Sequence, residues 1–208
     1  MSLYARYILP HMLDLAMRNK EITQLRAAWI PQASGDVLEI GIGSGLNLPF
    51  YPAQVRRLFG VDPSLELQRL ARKRAAGRTD LQFITQSAQE PLPLPEASID
   101  TIVVTWALCS IQNATEALQQ MRRVLKPSGR LLFIEHGRST DVAVVKWQDR
   151  ITPLWKRIAG GCHLNRRIDA VITEAGFRIT ELRTFYTAGP RPMTYTYQGV
   201  ASRSELAK

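Results

Sequence analysis

The stretch Asp36-Val-Leu-Glu-Ile-Gly-Ile-Gly-Ser-Gly45 constrains this chain more than any other. A short apolar run with an acid near its end breaks into a turn with glycine at positions 41, 43 and 45. Val37–Ile40 is β-branched and apolar, as a strand buried on both faces should be. Glycines beyond such a strand let the backbone approach a ligand and take φ > 0.

The chain around this stretch alternates strands with helices. Before it, Tyr4 to about Asn19 has apolar residues at helical spacing, Tyr4, Tyr7/Ile8, His11/Met12 and Leu15, with Pro10 as a point of kinking or division. A second helix runs from about Glu21 to Ile30. After it, Leu46–Tyr51 starts a helix that Pro52 stops. Strands follow at Arg57–Asp62, Leu81–Thr85, Ile99–Thr105 and Arg130–Glu135. Helices are expected at Pro63 to about Ala76, capped by Ser64, and from Asn113 or Thr115 to about Leu125. Gln86–Ala97, with three prolines, is a loop. Val142–Ile158 is helical but interrupted at Thr152-Pro153. Arg166–Ala175 is helical and ends at Gly176. Phe177–Tyr186 and Tyr195–Ala201 are final strands joined by a Gly189–Pro192 loop, short enough to make them antiparallel. The expected fold is α/β, a Rossmann-like seven-stranded, mostly parallel sheet with an antiparallel C-terminal hairpin and helices on both faces.

In such a sheet, ligands bind beyond the carboxyl ends of the strands. A dinucleotide fold wants G-x-G-x-x-G opening a long helix, with pyrophosphate at its N-terminus. Here the spacing is Gly41-x-Gly43-x-Gly45, there is no phosphate loop, and Glu39 would oppose a pyrophosphate. An acid there suits a cofactor carrying positive charge, while a glycine turn without a ligand is the alternative. Asp62 ends the next strand, where a carboxylate can accept hydrogen bonds from ribose hydroxyls. A turn or helix-capping aspartate is its plainer reading.

The ordered set of Glu39-x-Gly41-x-Gly43-x-Gly45, Asp62, Ile99-Asp-Thr-Ile-Val-Val104 and Leu125-Lys-Pro-Ser-Gly-Arg-Leu-Leu-Phe133 resembles the class I S-adenosylmethionine-dependent methyltransferases, from about Tyr4 to Ala201. Gly45–Pro52, Ala107–Gln112, Glu135-His136 and Trp155–Arg166 resemble the type 11 group that includes animal thiol methyltransferases. Bacterial phospholipid N-methyltransferases are a looser match.

The resemblance implies S-adenosyl-L-methionine as cofactor, leaving as S-adenosyl-L-homocysteine. It implies that Glu39 and the backbone of Gly41, Gly43 and Gly45 hold the methionine end, directly or through water, that Asn47 also binds the cofactor, and that Asp62 holds the ribose. Pro63 or Ser64 then lies beside the adenine, Ser87, Ala88 and Gln89 meet its edge, and Thr105 and Trp106 line the methyl side. Tyr4 and Tyr7 either close over the cofactor or pack in the core. Many family members have an acid where Ser87 stands, so adenine recognition here falls to Ala88 and Gln89.

Methyl transfer from a sulfonium is an in-line displacement that needs alignment and exclusion of water. A base is useful when the nucleophile must lose a proton, and thiols, with pKa about 8.5, need little help. His136, after the fifth strand, is the candidate base, with a structural histidine as its alternative. Cys162 and His163 sit in a loop expected to cap the pocket, and no covalent role is expected of Cys162. His11 is read as a helix-face residue. Trp106, Trp147 and Trp155 either line an apolar acceptor pocket or pack as core. Asp149 and Arg150 are a possible ion pair.

The 208 residues are 45% hydrophobic and 22% charged, which suits one domain. Its expected parts are N-terminal helices over 1–34, a cofactor core over 37–136, a capping helical segment over 140–176 and a strand pair over 177–201. No run nears the roughly 20 apolar residues of a membrane span, and no signal-peptide layout is visible at the N-terminus. Two cysteines outside any CxxC give no support for a metal site or disulfide framework, so no metal and a reducing cytoplasm are expected.

The net charge of +9 admits nucleic acid, an anionic membrane surface or an acidic substrate. The clusters Arg69/Arg72/Lys73/Arg74/Arg78 and Arg122/Arg123/Lys126 read as solvated helix faces. The favoured function is methyl transfer to a small, fairly apolar acceptor, preferably a thiol. Alternatives are a phospholipid or other amine N-methyltransferase in peripheral contact with an anionic membrane, an RNA methyltransferase, and a binding module without turnover. Nucleic acid is disfavoured, since Thr105-Trp-Ala-Leu stands where such enzymes carry an N/D-P-P-Y/F motif. Oligomeric state is not legible.

Overall fold

The computed structural model describes residues 7–75 and 77–204. Seven strands form one sheet: β1 (Gly35–Ile40), β2 (Val55–Val61), β3 (Leu81–Ile84), β4 (Ile99–Thr105), β5 (Leu125–His136), β6 (Phe177–Tyr186) and β7 (Tyr195–Arg203). Their order is β3-β2-β1-β4-β5-β7-β6, with β7 antiparallel to both β5 and β6. This is the mostly parallel sheet with a C-terminal hairpin that strand–helix alternation predicts. Successive residues of the central strands face opposite cores. Leu38, Ile102, Leu131 and Phe133 pack on one face, and Val37, Val103 and Leu132 on the other.

The chain runs β1, β2, β3 outward, then returns to place β4 on the other side of β1. That reversal opens a crevice at the carboxyl ends of β1 and β4. Helices α1 (Leu9–Ala16), α2 (Lys20–Trp29), α3 (Leu65–Arg74), α4 (Ala114–Val124), α5 (Val142–Ile158), α6 (Ile168–Glu174) and the single turn α7 (Arg191–Thr194) complete the fold. Ser64 and Asn113 cap α3 and α4, each accepting from a backbone N–H three residues on. Among the described residues, no helix is long and apolar enough to cross a membrane.

Several boundaries differ from expectation, for local reasons. Pro10 lies in the first turn of α1, where a missing N–H is tolerated, directly after a π-helical turn at Tyr7 and Ile8. The stripe Tyr7, Ile8, Met12 and Leu15 is exposed. The opposite stripe, Leu9, Leu13 and Met17 with buried Asp14, faces inward. Leu46–Tyr51 makes only a 3₁₀ turn, Leu48–Phe50. Lys126–Gly129 belongs to β5 through a break in register between Ile99 and Thr101 of β4. α5 passes through Thr152-Pro153 without interruption, with the Thr152 hydroxyl donating to the Gln148 carbonyl at 2.6 Å.

The basic clusters are only partly solvated faces. Arg74 bridges to Asp14 at 2.7 Å and donates to the Ser44 carbonyl at 2.5 Å. Arg78 pairs with Asp80, and Arg123 donates to the Leu92 and Leu94 carbonyls of the proline-rich loop. These guanidiniums serve carbonyls of loops that have no ladder of their own.

Candidate functional site

A cavity of about 710 Å³ opens at the carboxyl ends of β1, β2, β4 and β5. Its floor is the 41–47 turn. Gly41 has φ +70°, and a Cβ there would lie 2.5 Å from the Ala107 Cβ, so a side chain would collide with the loop after β4. Gly43 lines the cavity, whereas Gly45 is absent from its lining and packs against Leu48 and Ala71.

Two buried carboxyl groups stand beside this turn. Asp62 accepts the Gly43 N–H at 3.0 Å and the Ser64 N–H at 2.8 Å, so it fastens the turn to the end of β2. Each oxygen has accepted one hydrogen bond and retains acceptor capacity. Burial pushes the Asp62 carboxyl up, against those two N–H groups. Glu39 is 1% exposed and accepts from Asn47 Nδ2 at 2.8 Å and the Tyr51 hydroxyl at 2.9 Å. Burial raises its carboxyl to about 7, although Tyr51, Asn47 and the nearby Arg26 all favour the charged form. Arg26 donates to Asn47 Oδ1 at 3.0 Å and to the Met17 carbonyl at 2.8 Å, and lies 4.7 Å from the Trp106 ring centroid.

Pro63, Ser64, Ser87, Ala88 and Gln89 form the next part of the lining. The Gln89 amide is already engaged. Its oxygen accepts the Asn113 N–H at 2.5 Å and its nitrogen donates to Ser87 Oγ at 3.1 Å. Thr105 and Trp106 line the cavity at the end of β4. Trp106 has φ +51°, a left-handed conformation that is rare for a bulky side chain and concentrated at functional sites.

The far end is apolar and sulfur-rich. His136, Trp155, Cys109, Cys162 and Met193 line it. His136 meets Trp106 edge-on, with ring centroids 6.4 Å apart. Cys109, His136 and Cys162 offer ligand atoms that all lie within 4.8 Å of one another. The mutual influence of the two neighbouring thiols pushes Cys109 up and Cys162 down; His136 adds to the lowering at Cys162 against burial. The loop bearing Cys109 is held by Glu135, whose carboxyl accepts the N–H groups of Ala107, Leu108 and Cys109 at 2.8, 3.0 and 3.1 Å. Burial raises the Glu135 carboxyl to about 7 despite them.

The expected site residues Glu39, Gly41, Gly43, Asn47, Asp62, Pro63, Ser87, Ala88, Gln89, Thr105, Trp106 and His136 therefore share one cavity. Tyr4 lies outside the described residues. Tyr7 and His11 are exposed and away from the cavity lining. Trp147 is 56% exposed, neither core nor pocket wall. Asp149 pairs with Arg138 at 2.9 Å and accepts from Asn165 at 2.7 Å, while Arg150 lies over Trp147. His163 faces the Cys109 carbonyl, not the cavity.

Arg26, Asp14 and the Cys109–Cys162 encounter escape sequence reasoning. Apart from Arg18, four residues from Asp14, their main partners are distant in the chain.

Residues 38–133 match the family described as a methyltransferase domain. The thiol S-methyltransferase TMT1B of Rattus norvegicus is 36% identical over 150 residues, covering 70% of this chain and 61% of that protein. The human thiol S-methyltransferase TMT1A is 28% identical, covering 88% of this chain and 79% of the relative. The chain spans about three fifths of the length of the first of these. Among solved structures, a putative methyltransferase in complex with the Haloferax volcanii Trm112 activator covers 100% of both chains with TM-score 0.75 at 18% identity, a likeness of fold. The chain thus carries a methyltransferase domain over residues 38–133, and in its sheet order and relatives it is similar to S-adenosylmethionine-dependent methyltransferases.

Proposed function

We propose that this protein methylates the sulfur of a small, fairly apolar thiol at the end of the cavity beyond Trp106. The observation that carries this reading is the division of the cavity. Buried carboxyl groups and a glycine turn make one end, and aromatic and sulfur side chains with one imidazole make the other. The similarity to thiol S-methyltransferases supports the choice of acceptor.

The residues present fit the cofactor. Glu39 is a buried carboxyl raised to about 7 even with Arg26 nearby, and a further positive group facing it, such as that of S-adenosylmethionine, would favour its ionised form. When bound, it supplies an electrophilic methyl group on a sulfonium. Asp62 would accept from its ribose hydroxyls, Glu39 and Asn47 would face its methionine end, and Ser87 and Ala88 would border its adenine. The Gln89 amide, held by Asn113 and Ser87, keeps one N–H donor and would border the adenine with backbone groups of the 87–89 turn. Leu9, Leu13 and Met17 of α1 close one side and keep water out; the Asp14–Arg74 bridge ties that helix to the turn. Loss of the acceptor proton is the one acid–base event required, and Cys109, His136 and Cys162 are the ionisable side chains at that end.

Labelled cofactor offered with a panel of thiols, amines, phospholipids and RNA tests the reading. Label is expected on apolar thiols. Label on RNA or phospholipid alone would overturn the thiol assignment.

A further inference from the structure

The geometry points to a metal site at the acceptor end of the cavity: Cys109, His136 and Cys162 form a three-ligand seat for a thiophilic divalent cation such as Zn²⁺, with its fourth position open to the incoming thiol.

Two sulfurs and an imidazole nitrogen lie within 4.8 Å of one another. Around a tetrahedral zinc with Zn–S about 2.3 Å and Zn–N about 2.0–2.1 Å, neighbouring ligand atoms sit roughly 3.5–3.8 Å apart. Closing the trio by at most about 1.3 Å would therefore reach coordination distance. Two cysteines and one histidine are donors suited to zinc, and three protein ligands with one position free is the pattern of catalytic rather than structural zinc. All three residues line the cavity, so the free position faces the space where an acceptor must enter.

The seat is also held in place. Glu135 fixes the Cys109 loop through three N–H groups, one of them from Cys109 itself. The 159–166 loop carrying Cys162 is stitched to it. The His163 N–H donates to the Cys109 carbonyl at 2.7 Å, and Arg166 donates to the carbonyls of Leu108 and Ile111. Gly161 lets the two loops touch, since a Cβ there would lie 3.0 Å from the Ser110 carbonyl oxygen. Such outer contacts are what orient metal ligands. Plain packing needs neither the imidazole nor this bracing.

The cation gives the proposed thiol chemistry its missing piece. A thiol entering the fourth position exchanges with bound water; its S–H bond ionises as sulfur bonds to the metal, and the proton leaves to solvent. The product is a metal-held thiolate inside an apolar chamber. His136 then serves as a ligand rather than as the base that its place after β5 suggests. This use of the site rests on the thiol reading above, whereas the metal seat does not.

The test is titration of the reduced protein with Co²⁺ and Zn²⁺, read by absorbance and calorimetry, beside cofactor binding and thiol methylation. One equivalent of Co²⁺ should give a sulfur-to-metal charge-transfer band and intense tetrahedral visible bands, displaced by Zn²⁺ and shifted when a small thiol is added. Cys162→Ser and His136→Ala should each weaken binding by at least roughly 10–100-fold, with cofactor affinity kept as evidence of folding. Should Cys162→Ser fail to fold, His136→Ala carries the comparison. Binding without a charge-transfer band, equal affinity in both variants, or a Cys109–Cys162 disulfide as the only chemistry of the pair would overturn the site. Full thiol methylation by protein stripped of metal would overturn its use while leaving the methyltransferase reading intact. A bound metal without thiol methylation would do the reverse.

Discussion

The two ends of the cavity are built in opposite ways. The end proposed to hold the cofactor is a dense web of short polar contacts, spread over many partners. Glu39, Asn47, Tyr51, Thr105 and Arg26 share one hydrogen-bonded network, and Asp62 joins two backbone donors to it through the turn. The acceptor end is apolar, and its shape depends on one buried carboxyl, Glu135, and on two loops pressed together. Redundancy at one end and concentration at the other imply different responses to damage. A single substitution should trim function at the cofactor end and should unseat structure at the acceptor end.

Glu135→Ala is the most severe way to break this contrast. It leaves three buried N–H groups without an acceptor. At about 1–3 kcal/mol for each unsatisfied group, partly offset by relief of a carboxyl whose charge is opposed by burial, the loss should be about 3–5 kcal/mol. Denaturant unfolding measures it. Glu135→Gln, which keeps one accepting oxygen, should cost clearly less. Equal stability of Glu135→Ala and the parent would mean that the 107–109 loop is held by something else.

Asp62→Ala comes next. It should weaken cofactor binding by about 1–3 kcal/mol through lost hydrogen bonds to a charged group. Because water can reach the freed Gly43 and Ser64 N–H groups in the cavity, global stability should fall less than in Glu135→Ala. Calorimetry and unfolding on the same preparation separate the two effects. Unchanged affinity would reject the ribose role and leave Asp62 as the fastener of the turn.

The same contrast explains what the sequence discloses. The cofactor end is legible because its parts are local. A strand, a glycine turn and an acid at the next strand end are enforced by chain geometry over short separations, so the gathering of Glu39, Gly41, Gly43 and Asp62 at one cavity can be foreseen, while Gly45 packs against Leu48 and Ala71 instead. Arg26 is not legible, because a helix arginine reads as surface until Asn47, Met17 and Trp106 are seen around it. Arg74 and Arg123 fail for the same reason: a charge run has no mark that separates a carbonyl clamp from a solvated face. The acceptor end is tertiary throughout. Cys109 and Cys162 meet only because β5 leads into α5 and the chain folds back over β4. The helical stripe of α1 misleads, since both of its faces carry apolar residues and the choice belongs to the cavity. Trp147 and Trp155 share a helix and a residue type, yet only Trp155 turns inward.

Trp155→Ala sharpens the comparison at the acceptor end with a smaller effect. Trp155 is a wall that contributes apolar area, so kcat/KM for an apolar thiol should fall by about 1–2 kcal/mol in transition-state terms, mostly through KM. Cofactor affinity should not move. Steady-state kinetics with two thiols differing in chain length checks this, the longer losing more. A loss of cofactor affinity equal to the loss in kcat/KM would show that the two ends are not separable.

The smallest effect lies in the proton on Glu39. Burial holds this carboxyl at about 7, against an ordinary 4.5, so near neutrality a substantial fraction of the free protein carries the proton. A positive cofactor group facing it favours the ionised form and lowers that value. The bound state then holds fewer protons than the free state, and binding releases part of a proton. The sign follows: affinity is fully developed above about 7 and declines as the pH falls below it, because ionising Glu39 must then be done at the expense of binding. At the midpoint the free energy involved is only about 0.4 kcal/mol, the cost of selecting one of two equally populated forms. Calorimetry of cofactor binding in two buffers of different ionisation enthalpy reads the released proton directly, without any turnover. In Glu39→Gln the release should vanish and the affinity should become flat across this range. Undiminished release in that variant would move the proton to Asp62, whose carboxyl is also raised by burial and whose charge Glu39 feels. The redundancy assigned to the cofactor end would then extend to its charge as well as its hydrogen bonds.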